Sequence, residues 1–178
     1  MSSRIYITGL PSSGKSTLAR GLATGLGIPH FDLDPIAFVD EAWTPRSADD
    51  RDRMISNILR EPGWVADGFF VGWTTPLLAA ADVIVWLDPP LSRLVLRHVG
   101  RHRRSGTRWL AARLRYQVRS YCGRTGGAAS FEPALTRAGI ESALSPWSGK
   151  VMRLRHTPSV SDIVEATRSR RRDPDARG

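Results

Sequence analysis

The segment Gly9-Leu10-Pro11-Ser12-Ser13-Gly14-Lys15-Ser16-Thr17 has the spacing of a phosphate-binding loop: a glycine, four residues, then Gly14, Lys15 and Ser16. The residue types explain the chemistry. Glycines let the backbone curl until several N–H groups point at one centre, where phosphate oxygens can accept them. Lys15 then reaches the outer phosphates of a triphosphate, and the Ser16 hydroxyl is a ligand for Mg²⁺. Three carboxylates have the context such a site needs. Asp67 ends the apolar run WVAD and precedes Gly68, Asp88 ends VIVWLD before two prolines, and Asp34 ends FDLD. Asp67 is expected to orient the metal's water shell. Asp88 has the surroundings of a helix cap or support. Asp34 is expected to face the loop across the cleft, orient an acceptor hydroxyl and take its proton, the alternative being a turn cap before Pro35.

Such residues need a scaffold that brings strand ends together. Short apolar runs alternate along the chain with longer amphipathic ones, the pattern of a parallel sheet covered by helices on both faces. Strands are expected at 4–8, 28–33, 64–67, 83–87 and 150–155, and helices at 15–26, 47–60, 75–80, 90–104, 109–121, 133–144 and 159–168. The expected class is therefore α/β, a three-layer P-loop fold on a five-stranded parallel sheet. The expected organisation is one domain over residues 1–170, with a helical lid over 100–130 and a flexible tail over 171–178.

The formal net charge is +9, and it is concentrated. Between Asp88 and Glu132 there are ten arginines and no acidic residue. Such a segment reads as a lid closing on triphosphate, as a nucleic-acid surface or as a solvated hairpin, and the lid is the favoured reading. Arginines on a hinged segment surround the transferring group with positive charge and exclude water only when substrate is present. Cys122 is the only cysteine, and no run approaches the length of a membrane span, so a cytoplasmic location and no membrane partner are expected. A guanine-nucleotide switch is excluded, since the only asparagine, Asn57, is followed by Ile58 rather than by the Lys-x-Asp that reads the base.

WVADGFF resembles the Asp-Gly-Phe signature of adenylate kinases and related nucleoside monophosphate kinases, and LDPPLSRLVLRHVGR resembles their helix into the lid. This resemblance implies that Arg97 packs on the adenine and Arg101 contacts the ATP phosphates. It also implies that HTPSV, with Thr157, runs along the adenine edge. HFDLD, Trp43-Thr44-Pro45, WVADG and VIVWLD are similar to the adenylate kinase-like proteins called DNA topology modulation (FlaR-type) kinases, over most of residues 4–165. ATP and Mg²⁺ are the implied cofactors. The implied activity is phosphoryl transfer to a small-molecule acceptor in the manner of a nucleoside monophosphate kinase. One departure bears on the acceptor. Where adenylate kinases carry an arginine after Asp-Gly-Phe, this chain has Phe70, Val71, Gly72 and Trp73. Phe38, Trp43, Phe69, Phe70 and Trp73 would line a flat apolar pocket, with Arg46 either a phosphate contact or a solvated charge. Asp32 and Asp34 are similar to the Asp-x-Asp of shikimate kinases, which supports the alternative of a non-nucleotide hydroxyl acceptor. A nucleotide-dependent nucleic-acid-binding protein is a third reading, carried by the arginine run alone.

Overall fold

Strand β1, Arg4–Gly9, is buried from Ile5 onward and lies at the centre of the sheet, where both faces of a strand must be apolar. The computed structural model describes residues 3–40, 42–102, 107–122, 136–156 and 159–165. Beside β1 stand β3 (Trp64–Asp67) and β4 (Val83–Leu87), with β2 (His30–Asp32) and β5 (Val151–Leu154) at the edges. The order is β2-β3-β1-β4-β5 and every pairing is parallel.

Alternation along the strands divides the core in two. Ile5 and Ile7 of β1 and Val83, Val85 and Leu87 of β4 face α1 (Lys15–Leu26), which contributes Leu18, Ala19 and Leu22. Tyr6, Ile84 and Trp86 face the other way. There they meet Ile55 and Ile58 of α3 (Ala48–Arg60) and Leu77 and Leu78 of α4 (Thr75–Ala80). Parallel strands need crossovers, and these helices supply them. The fold is thus a three-layer α/β P-loop architecture.

The central strands lie where the apolar runs put them, whereas the edge strands are shorter than the expected 28–33 and 150–155. One neighbour supports less pairing than two. A single helical turn, α2 (Asp34–Ala37), replaces the turn read at Asp34-Pro35; proline in the first turn of a helix lacks only an N–H that would have had no partner. Between β4 and β5 run α5 (Leu91–His102), α6 (Thr107–Tyr121) and α7 (Arg137–Leu144), followed by a 3-10 turn at Ser145–Lys150. Thr136 caps α7 by accepting the N–H of Gly139. The expected loop 123–130, the tail, and Thr157 lie outside the described residues.

Candidate active site

The loop after β1 is built by backbone conformations that favour glycine. Gly9 has φ 146° and Gly14 φ 102°, both in the region L side chains avoid. A Cβ on Gly9 would lie 2.3 Å from the carbonyl oxygen of Leu87 on β4, so no other residue fits. Gly14 is the N-cap of α1, whose first turn holds no acidic residue to occupy its N–H groups. These donors and the helix dipole make an anion site. Lys15 folds back into the loop, with Nζ donating to the Leu10 carbonyl at 3.3 Å. The Ser13 hydroxyl is buried and has no hydrogen-bond partner. Pro11 and Ser12 form the crest, and Thr17 is exposed in the first turn of α1.

Within the loop the Leu10 carbonyl accepts the Ser13 N–H and Lys15 Nζ, while the carbonyls of Pro11 and Ser13 take donors from elsewhere. Helices α5 and α6 provide them. Arg97 Nη1 donates to the Ser13 carbonyl (2.8 Å) and Gln117 Nε2 to that of Pro11 (3.1 Å), while His98 Nδ1 pairs with the Ser12 hydroxyl (3.0 Å). Arg97 therefore meets the phosphate loop directly. Arg101 is in the last turn of α5, and its side chain lies outside the described part.

Register brings two carboxylates to the loop, because Asp67 pairs with both Ile7 and Asp32 at the carboxyl ends of three adjacent strands. The Ser16 hydroxyl donates to Asp67 Oδ2 at 2.8 Å, and His30 Nε2 stands 2.6 Å from Asp67 Oδ1. A hydroxyl and a carboxylate in contact are hard oxygen donors of the kind Mg²⁺ takes. Two protein ligands are too few for an octahedral ion, so phosphate oxygens and water would complete the shell.

Asp32 and Asp34 differ in what they touch. Asp32 Oδ1 accepts the backbone N–H of Asp34 and so caps the turn into α2. Asp34 Oδ1 is buried and has no hydrogen-bond partner among the described residues. Burial pushes the Asp34 carboxyl up to about 6; the Asp32 charge adds to this, Lys15 opposes it, and Asp67 adds a smaller push. The carboxyl lies within electrostatic reach of the phosphate-loop lysine.

Asp88 does something else. Its oxygens receive Arg137 Nε and Nη2 (2.7 and 2.8 Å) and Arg153 Nε and Nη2 (2.9 and 2.7 Å). Burial alone would raise this carboxyl, and the two guanidinium groups overcome that and hold it below the usual carboxylate range. Of the two readings, cap and support, these contacts are those of a support. One carboxylate joins the start of the segment before α5 to the first residue of α7 and to β5. Arg153 also lies over the Trp86 ring and reaches Glu141. Beyond α2, Arg46 Nη2 donates to the carbonyls of Pro35 and Phe38, and the Arg51 guanidinium lies over Trp73. Phe70 is core, its carbonyl accepting the Tyr6 hydroxyl, while Phe38, Phe69 and Trp73 are half-buried around it.

No protein-family model matches the chain, and a search of curated proteins returns no similar sequence. Similar solved structures include a gluconokinase from Sinorhizobium meliloti, at 18% identity and TM-score 0.48 over 94% of this chain and 90% of that one. A sugar kinase from a Janibacter species matches at 14% identity and TM-score 0.49, over 99% and 98%. A shikimate kinase from Bacteroides thetaiotaomicron matches at 18% and TM-score 0.46, over 82% and 96%. Likeness at this level is one of overall architecture, which the strand order and loop already define.

Proposed function

We propose that this protein is an ATP-dependent small-molecule kinase that transfers the γ-phosphoryl group to a hydroxyl of its acceptor. The observation that carries this is the buried, unpartnered Asp34 Oδ1 beside a phosphate loop whose lysine is within electrostatic reach. A buried carboxylate oxygen without a donor is costly, and an acceptor hydroxyl supplies that donor. Backbone N–H groups of Gly14, Lys15 and Ser16, at the start of α1, would hold the phosphates. Lys15 bridges the outer two, and the Ser16 hydroxyl with Asp67 would hold Mg²⁺, whose chemistry when bound is to neutralise phosphate charge. The acceptor oxygen attacks the γ-phosphorus, the bond to the β-bridging oxygen breaks, ADP leaves, and the hydroxyl proton passes to Asp34. Catalysis is by positioning and electrostatics, with no covalent enzyme intermediate.

The nucleoside monophosphate kinase-like resemblance motivates one acceptor class, and the Asp34 oxygen favours the other, a hydroxyl without a second phosphate. Arg46, read from the sequence as either a phosphate contact or a solvated charge, is engaged by backbone carbonyls. ADP formation should be measured against nucleoside monophosphates, nucleosides, shikimate, sugars and aminoglycosides. Turnover that depends on a hydroxylated acceptor and is lost in Asp34→Asn supports the reading. Turnover that depends on DNA or RNA alone would favour the nucleic-acid alternative.

Two comparisons separate roles at the site. Asp67→Asn should raise the Mg²⁺ concentration for half-maximal turnover by about tenfold or more, since the amide keeps an acceptor for Ser16 but loses the charge. Asp88→Asn should leave Mg²⁺ dependence unchanged and lower stability by about 1–3 kcal/mol, because two partly exposed guanidinium groups lose a shared carboxylate. Metal titrations and thermal melts of both variants decide it, and the reverse ranking would mean that Asp88 is the metal-side carboxylate. On α5, Arg97→Ala should mainly raise KM for ATP, by the roughly fivefold that ~1 kcal/mol gives. Arg101→Ala should lower kcat about a hundredfold, since a phosphate-side cation is rewarded most in the transition state. If Arg115→Ala and Arg119→Ala cost as much as these two and the loss scales with salt, the segment is a diffuse polyanion surface instead.

A further inference from the structure

Among the described residues only two non-glycine positions have positive φ, Ser12 (63°) and Trp43 (64°). The first is the crest of the phosphate loop. A β-unbranched but bulky side chain in the left-handed region is strained, and such strain persists only where the surroundings over-determine it. Around Trp43 they do. Phe38 and Pro45 form an antiparallel bridge, and the Val39 N–H donates to the Thr44 carbonyl. Asp40 Oδ1 accepts the N–H groups of both Ala42 and Thr44, and the Asp40 carbonyl accepts the N–H of Trp43. This framework holds an indole 48% exposed, where the hydrophobic effect alone would bury it.

The indole meets Phe38 edge to face, with ring centroids 4.9 Å apart. Phe38 is the C-cap of α2, four residues after Asp34. Residues four apart share one face of a helix, with Cβ atoms about 5–6 Å apart, roughly the width of a six-membered ring. Phe38 continues into the cluster with Phe70 (6.0 Å), to which Trp73 adds its ring (5.1 Å). Phe38 itself has an extended backbone, and its N–H closes the turn on the Asp34 carbonyl, so Asp34 stands one turn before the aromatic run of Phe38 and Trp43. The acidic residues Asp32, Asp40 and Glu41 are the neighbours of this stretch in sequence, and Arg46 is turned onto backbone carbonyls.

We infer that Trp43 is a specificity-determining residue for the acceptor, and that the acceptor is an uncharged hydroxylated ring compound whose flat apolar face lies on Phe38 and Trp43 while its hydroxyl reaches Asp34. This rests on the kinase reading above. An anionic acceptor would face Asp32, Asp34 and Asp40, while among the described residues Arg46 is held by backbone carbonyls and Arg51 lies over Trp73, and like-charge repulsion costs affinity.

The test uses the full chain with radiolabelled ATP and a panel of matched acceptors. Uncharged ring compounds (phenyl glucoside, nucleosides, inositol) are set against anionic ones (gluconate, shikimate, nucleoside monophosphates). The expected best acceptor is uncharged, with the phenyl glycoside ahead of inositol. For that acceptor Trp43→Ala raises KM at least tenfold, Trp43→Phe restores most of it, and KM for ATP is unchanged in both. Trp43→Gly, which relieves the positive φ, unfolds at a higher temperature than Trp43→Ala yet shows the same acceptor defect, which separates binding from folding. An anionic best acceptor overturns the inference, as does an unchanged acceptor KM in Trp43→Ala, or phosphorylation of nothing in the panel by protein that binds ATP. A chain that neither binds nor turns over ATP contradicts instead the kinase reading on which it rests.

Discussion

Lys15→Ala is expected to lower ATP turnover by about a hundred- to a thousandfold, the effect of removing one positioned cation from the developing charge of phosphoryl transfer. The fold should survive. Loop shape comes from Gly9, Gly14 and the backbone hydrogen bond from Ser13 N–H to the Leu10 carbonyl, none of which the lysine supplies. The Leu10 carbonyl, which Lys15 Nζ also contacts, keeps that backbone partner. A coupled assay for ADP and a thermal melt of the variant check both halves. Turnover within a few-fold of the parent would mean that the loop does not act on a triphosphate.

Asp34→Asn has the second-largest expected effect, and it acts in opposite directions on activity and stability. Loss of the proton acceptor should lower kcat on the acceptor by about a hundredfold, the low end of general-base contributions, with ATP affinity unchanged. In the parent protein the base must be ionised, so kcat/KM for the acceptor should fall as pH drops below about 6. Stability follows from linkage. The folded carboxyl is raised from 3.8 to about 6, so the folded state holds this proton more tightly than the unfolded chain does. That contribution is present at pH below about 4 and is lost as pH rises through about 6. The neutral amide should therefore raise the melting temperature at pH 7 and lose that advantage near pH 4. Calorimetric melts at the two pH values check it, and an amide variant less stable at pH 7 would mean that Asp34 is held by a partner the carboxylate needs.

What the sequence makes legible here is what is local. The phosphate loop can be read from the spacing of Gly9, Gly14, Lys15 and Ser16, because backbone curvature and helix initiation are set within nine residues. Strands β1, β3 and β4 are buried on both faces and so stand out as continuous apolar runs. At the sheet edges the runs overstate the strands, and α2 escapes periodicity because four residues complete barely one turn. The partners of the site are not local. His30 reaches Asp67 across 37 residues, Arg137 and Arg153 reach Asp88 across 49 and 65, and Gln117 reaches Pro11 across 106. No spacing rule connects such pairs; only the order of the parallel strands and the return of α6 and α7 bring them together. For Asp88 the local context left cap and support both open for the same reason. Two prolines after an aspartate suggest a cap, while the arginines that claim its oxygens are remote in sequence. Trp43 stood out in the sequence by its aromaticity and its place in Trp43-Thr44-Pro45, but not by its backbone, since its positive φ arises from Asp40, Thr44 and the bridge at Phe38.

The central claim is that the γ-phosphoryl group passes from ATP to a hydroxyl. Phosphorus NMR of the full chain incubated with Mg²⁺, ATP and an uncharged hydroxylated acceptor tests it most directly, because the spectrum distinguishes every phosphorus-containing product. The account predicts ADP and a phosphate monoester in equal amounts, both absent in Lys15→Ala and the monoester strongly reduced in Asp34→Asn. ADP accompanied only by inorganic phosphate, at a rate indifferent to the acceptor, would contradict it.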